Sequence, residues 1–236
     1  MTTRHDGRAA DVLRPFSLER GFTASAAGSV LVKAGGTTVL CTASLSDEVP
    51  KWLAGKGKGW VTAEYNMLPG STSPRKPRDR LKVDGRTTEI QRLIGRSLRA
   101  VVDLKILGER LVTVDCDVLQ ADGGTRTASI TGAYVALYEA LATCEDLDPA
   151  DRWPLTDSVA AVSAGVVEGC VLLDLDYVED SSAQVDMNVV MTGGGEFIEV
   201  QGTGEGATFS LGELQDLLNV AKSGIVELTT LQQAEF

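Results

Sequence analysis

The stretch that most constrains the fold is Ala121–Thr131, where an alternating run ends on two glycines and a helical pattern begins. Ahead of it, Leu111–Gln120 alternates as a half-buried strand does. After it, Ile130, Ala133, Tyr134, Leu137 and Leu141 recur at helical spacing. Gly123 and Gly124 let the chain turn tightly and bring backbone close to a ligand. The first turn of the helix carries free N–H groups and the positive end of the dipole, which suits an anion. Thr125 adds a hydroxyl and Arg126 a forked cation, the side chain best shaped to grip phosphate. Two readings stay open on these residues alone: a phosphate-binding turn, or an ordinary strand-to-helix connection with a surface arginine.

The flanking patterns fix the fold class. Residues 1–15 read as an irregular arm with Arg4, Arg8, Arg14 and Pro15. Ser29–Lys33 and Thr37–Ser44 are extended runs joined across Ala34–Gly35–Gly36, a hairpin signal. Trp60–Met67 alternates as another strand, and Gly85–Leu107 reads as one helix with Ile90, Leu93, Ile94, Leu98, Val101 and Val102 inward. Glu145–Pro154 is a polar link that divides an N-terminal half, about 1–145, from a C-terminal half, about 155–236. Ser158–Glu168 and Cys170–Glu179 are strand-like and form a hairpin over Gly169. Val185, Met187, Val189 and Met191 then face one way, and Gln184, Asp186 and Asn188 the other. Glu196–Gln201 is a further strand, and Ser210 with Glu213 forms a capping box before the last helix. The expected fold is α+β with mixed sheets and helices near 85–107, 126–143 and 210–232.

Charge is distributed unevenly. The net charge is −11. Yet residues 51–110 hold fourteen basic and six acidic residues, and residues 111–236 hold three basic and twenty-two acidic ones. A local basic surface can hold a polyanion on an acidic molecule. Cys41, Cys116, Cys144 and Cys170 form no Cys-x-x-Cys pair, and His5 is the single histidine. That argues against a zinc site and against a histidine-based nucleophilic triad. No apolar run is long enough to span a membrane, and the N-terminus lacks an apolar signal core, so a cytoplasmic protein with reduced thiols is expected.

Two further groups bear on function. Pro69–Arg80 carries three prolines and the basic residues Arg75, Lys76, Arg78 and Arg80, which rules out a helix or central strand and reads as an exposed basic loop. On the helix that follows, Arg92, Arg96 and Arg99 fall at i, i+4 and i+7 with few acidic partners along the stripe. Both fit contact with RNA, and both also fit a solvated surface. Asp180 and Asp186 would lie about 20 Å apart on one straight strand, too far to share an ion. If the chain reverses at Ser181–Ser182 they converge, as a pair suited to Mg²⁺. Otherwise Asp180 caps a turn and Asp186 faces solvent.

Taken in order, these motifs resemble the ribonuclease PH family of bacterial phosphorolytic 3′-exoribonucleases. The likeness runs over nearly the whole chain. It includes Arg4–His5–Asp6–Gly7–Arg8, Asp11–Val12–Leu13–Arg14–Pro15, Gly36–Cys41 and Val61–Tyr65. Its stronger pieces are Gly85–Arg99 and the Gly123–Gly124–Thr125–Arg126 turn. Leu175–Asp180, Asp186–Met187–Asn188 and Glu199–Thr203 complete the set, with no departure at a position that matters. The resemblance implies a single β-α domain over 1–236, related to a small-subunit ribosomal protein, and dimers assembled into a homohexameric ring. It implies inorganic phosphate as co-substrate at Arg86, Gly124, Thr125 and Arg126, with catalytic Asp180 and Asp186 also placing Mg²⁺. It implies RNA gripped by Arg92, Arg96 and Arg99, with the Arg75, Lys76, Arg78 and Arg80 loop as a further tRNA contact. The implied activity is trimming of tRNA precursor 3′ ends, with action on ribosomal RNA, reversible release of nucleoside diphosphates, and no membrane partner.

Three rivals remain at this point. A hydrolytic nuclease needs no phosphate pocket, which Arg86, Thr125 and Arg126 provide. A non-catalytic RNA-binding ring subunit of an exosome-like complex has no need of both Asp180 and Asp186. A nucleotide-binding metabolic protein has no use for the arginine stripe.

Overall fold

A computed structural model describes residues 4–78 and 83–236. Five strands form the first sheet: β1 (Phe16–Arg20), β2 (Gly28–Ala34), β3 (Thr37–Ser46), β4 (Trp60–Met67) and β5 (Leu111–Gln120), in the order β1-β2-β3-β5-β4. The β2–β3 hairpin closes where Ala34 pairs Thr37, so Gly35 and Gly36 make a two-residue turn. β4 and β5 run parallel and are joined by α1 (Gly85–Ala100), which packs on β4. Buried residues alternate along β3 and β5 as their sequences require.

The helix after the double glycine, α3 (Thr125–Ala142), lies between this sheet and the second. Fourteen of its 18 residues are buried, so it is a core helix rather than a one-sided amphipathic one. Small residues allow close contact: a Cβ on Gly132 would stand 2.1 Å from Val32 Cγ2. Buried hydroxyls on α3 bond backbone instead of remaining orphaned: Ser129 Oγ donates to Thr125 O, and Thr131 Oγ1 accepts from Ala161 N at 3.1 Å.

The second sheet has the order β7-β6-β8-β9 and is antiparallel throughout, built from β6 (Val159–Val167), β7 (Cys170–Leu173), β8 (Val185–Thr192) and β9 (Phe197–Gly204). The last helix, α5 (Leu211–Gln233), buries Leu217, Ala221, Ile225 and Leu228 against this sheet. Its start carries the expected capping box of Ser210 and Glu213. Among the described residues no helix is long and apolar enough to cross a membrane.

Three elements differ from the sequence reading. The helix expected over 85–107 is two: α1 ends at Ala100, Val102 bridges Leu155, and α2 (Leu104–Leu107) restarts under the Asp103 side chain, which caps Lys105 N and Ile106 N. Asp is a strong N-cap, and the continuing apolar spacing concealed the break. The strand expected over Cys170–Glu179 stops at Leu173, because Asp174 adopts φ 55 and Asp176 caps a short helix, α4 (Tyr177–Asp180). The basic loop opens with a 3₁₀ turn over Pro69–Ser71, tied down by Ala121 N donating to Ser71 O.

Candidate active site

The β5–α3 turn is pressed against the backbone that leads into α4. Gly123 (φ 72) and Gly124 (φ 63) are both left-handed, the region open to glycine at little cost. A Cβ on Gly123 would stand 2.7 Å from Leu175 O. Gly124 is the N-cap of α3 and offers no side-chain cap, so ligands can reach N–H groups of the first turn. Thr125 Oγ1 is 2.8 Å from the Tyr65 hydroxyl, whose pKa burial raises, so the phenol stays neutral. Arg126 Nη1 donates to Gln201 Oε1 at 2.9 Å and lies 3.7 Å from Glu89 Oε2, which fixes its fork between β9 and α1. Arg86 sits in the first turn of α1, where Asp84 Oδ1 accepts from Thr87 N.

Asp180 ends α4 and Asp186 stands second in β8. The chain reverses between them: Ser182 N donates to Glu179 O, and Ala183 N to Asp180 O. Both carboxylates therefore line one cleft of about 810 Å³ with Arg86, Gly124, Thr125 and Arg126. The six positions named as phosphate or acidic residues thus meet, although they come from four different elements and a turn. Burial, and then repulsion from Asp180, push the Asp186 carboxyl up to about 6, while Arg126 pulls the other way. Burial likewise raises Asp180, against the pull of Arg86 and Arg126. A carboxyl near 6 can hold or release a proton close to neutrality. Two hard-oxygen donors that repel each other across a cleft also suit a divalent cation that keeps waters and phosphate oxygens as its remaining ligands.

Sequence reasoning missed the frame that holds these groups. Arg14 is buried and donates to both Asp174 carboxylate oxygens, at 2.7 and 3.0 Å, and to Asp122 O, at 2.5 Å. It therefore ties the residue ahead of the glycine turn to the segment entering α4. Arg4 grips Glu179 of α4 through two bonds, at 2.7 and 2.5 Å. His5, Asp176 and Glu179 cluster closely enough to suggest a metal site. Arg4 already neutralises Glu179, however, and Asp176 caps α4, so the cluster reads as a joint. The arm containing Arg4, Arg8 and Arg14 is thus part of the site's scaffold; arginine density and the family-like motifs mark it in the sequence, but neither says what the arginines hold.

The arginine stripe does not stand as an unpaired row. Arg96 pairs with Glu199 of β9 at 2.5 Å. Arg99 turns inward, with its guanidinium 4.5 Å from the Trp60 ring centroid and Nη1 bonded to Val61 O, and burial lowers its pKa. The i, i+4 rule compares residues along one helix and could not see a partner on β9 or a ring on β4. Arg92 is exposed beside Thr88 and Arg96. In the loop, Arg75 and Arg78 are exposed and Lys76 Nζ lies 3.4 Å from Asp84. Thr72, Ser73 and Pro74 line the cleft, so the loop leads directly into it. Arg80 lies outside the described residues.

Residues 12–142 match the model of the 3′ exoribonuclease family, domain 1, and residues 157–224 match domain 2. The chain is 65% identical over 231 residues to a protein named Ribonuclease PH from Rhodopirellula baltica, covering 95% of this chain and 94% of that one. It is 59% identical to a protein of the same name from a Synechococcus strain, over 98% and 96% of the two chains. Among solved structures it resembles rice Rrp46, with a TM-score of 0.80, 20% identity and coverage of 98% and 99%. It also resembles an Archaeoglobus fulgidus exosome with RNA bound to the active site, with a TM-score of 0.78, 23% identity and coverage of 95% and 91%. At that identity the two structures bear on the fold alone.

Proposed function

The chain belongs to the 3′ exoribonuclease family, and from that premise we propose that it is a phosphate-dependent 3′-to-5′ exoribonuclease that trims tRNA precursors. The observation that carries this reading is the convergence of two arginines, an uncapped helix start and two carboxylates on one cleft. Arg86, Thr125, Arg126 and the first-turn amides of α3 hold inorganic phosphate beside the last internucleotide phosphate. Fixing the nucleophile in place removes much of the entropic barrier. A phosphate oxygen attacks the terminal phosphorus, the bond to the 3′-oxygen breaks, and that oxygen leaves with a proton. The product is a nucleoside diphosphate and an RNA one residue shorter. A phosphodiester is exchanged for a phosphoanhydride, so excess diphosphate drives the reverse addition.

Asp180 and Asp186 are the residues that would hold Mg²⁺, which supplies charge neutralisation at the scissile phosphate. The Asp186 carboxyl, raised to about 6, can alternatively deliver the proton to the leaving oxygen. RNA approaches over Arg92, Arg96 and the Arg75–Arg78 side of the loop. Ribosomal RNA is a second substrate class in this reading, and the working assembly is a hexamer. The test is initial rate against phosphate concentration for Arg126→Ala and Arg86→Ala on a tRNA with a short 3′ extension. Each variant is expected to raise KM for phosphate at least tenfold while tRNA affinity stays within about threefold. An unchanged phosphate KM in both variants overturns the assignment of the pocket.

A further inference from the structure

Asn188 faces the cleft with a side chain that nothing in the fold employs. It is 8% exposed and lines the same cavity as the two aspartates. Among the described residues its amide makes no hydrogen bond, whereas the polar groups around it are committed. On one side Asn188 pairs in register with Ser163 of β6, whose hydroxyl accepts from Leu175 N. On the other it pairs with Gln201 of β9, whose amide holds Arg126 and Glu89. The amide is open to the cleft rather than sealed in the core, and a donor held on a buried strand with committed neighbours and only the cleft before it is placed to meet a ligand group.

Its position specifies which group. Asp186 precedes it by two residues on the same face of β8, about 7 Å away along the strand. Gln201 is its direct cross-strand neighbour, about 5 Å away between Cβ atoms, and carries Arg126. Asn188 therefore stands between the carboxylate half of the cleft and the phosphate-gripping arginine. On the proposed function above, that is where the phosphorus under attack must sit. We propose that Asn188 is a catalytic residue: its Nδ2 donates a hydrogen bond to a non-bridging oxygen of the terminal internucleotide phosphate. The bond strengthens as negative charge gathers on that oxygen, so it acts on kcat more than on binding. An uncharged donor suits the spot, because it adds no repulsion toward a cation and no competition for Asp186.

The experiment pairs kinetics with melting for Asn188→Ala and Asn188→Ser, on a 3′-extended tRNA with phosphate varied up to saturation. The expected result is a 10- to 100-fold fall in kcat for both, with KM for phosphate within twofold. Melting temperatures should be equal to or above the parent's, since no protein partner is lost. A kcat within twofold of the parent overturns the inference. So does a kcat loss accompanied by a melting temperature several degrees lower, which means a structural amide. If the parent protein shows no phosphate-dependent turnover, the reading of the cleft fails first and the inference with it; a normal parent with fully active variants refutes the Asn188 role alone.

Discussion

Asp186→Asn should abolish turnover and make the metal-free protein more stable. In the fold the carboxyl is raised to about 6 by burial and by Asp180, against 3.8 for a free aspartate. Keeping it ionised above pH 6 therefore costs up to about 3 kcal/mol relative to the unfolded chain. Water in the open cleft screens part of this, leaving about 1–2 kcal/mol. The sign follows from the raised value. The cost is fully present above about pH 6, shrinks as pH falls toward 3.8, and vanishes when both states are protonated. An asparagine never bears it. In EDTA at about pH 8 the variant should melt about 3–6 °C higher than its parent, and the gap should close at about pH 4. Mg²⁺ should reverse the order, because a ligand at 100 times its Kd adds about 2.7 kcal/mol to the parent and little to the variant. Scanning calorimetry at matched protein concentration measures all three. A variant no more stable at pH 8, or a gap that does not change with pH, refutes the claim that the cleft strains this carboxylate.

Arg14→Ala strips buried Asp174 of its bidentate partner and leaves it only the longer contact with Arg8 at 3.6 Å, and should destabilise by about 3 kcal/mol by chemical denaturation; a loss under 1 kcal/mol contradicts the frame described for the site. Gly123→Ala places a Cβ 2.6 Å from Asp176 and requires a left-handed alanine, so the turn must shift, and KM for phosphate should rise at least tenfold with the fold intact by circular dichroism. Arg92→Ala with Arg96→Ala should weaken tRNA binding and flatten the plot of log affinity against log salt by about one or two charges. An unchanged slope removes the stripe from the RNA path. Leu137→Ala, in the wholly buried part of α3, should cost about 2–5 kcal/mol without altering phosphate KM in the surviving fraction.

Much of this architecture is legible in the residues because local rules and tertiary packing agree. The Gly35–Gly36 hairpin, the β5–α3 turn and the Ser210 capping box each declare themselves within a few residues. Where the readings parted, a local signal lost to a distant partner or was overlooked. Asp176 and Glu179 form a capping box that was present in the sequence, but an alternating run of Leu and Asp concealed it. Asp174 takes a left-handed backbone at a point where Arg14, 160 residues away, holds its carboxylate, a partner no local rule can see. Helical spacing placed Arg92, Arg96 and Arg99 on one side correctly, but Glu199 and Trp60 lie on other elements and were beyond its reach. The convergence of Asp180 with Asp186 depended on one reversal at Ser181–Ser182, which polar residues permit and only the fold enforces.

Product identity tests the central claim most directly. A tRNA with a short 3′ extension, incubated with Mg²⁺ in the presence and absence of inorganic phosphate, should release nucleoside diphosphates only when phosphate is present. Monophosphates formed without phosphate would identify a hydrolase and contradict the assignment of Arg86, Thr125 and Arg126 to a phosphate nucleophile. Absence of product under both conditions would make the chain a non-catalytic RNA binder despite its two aspartates.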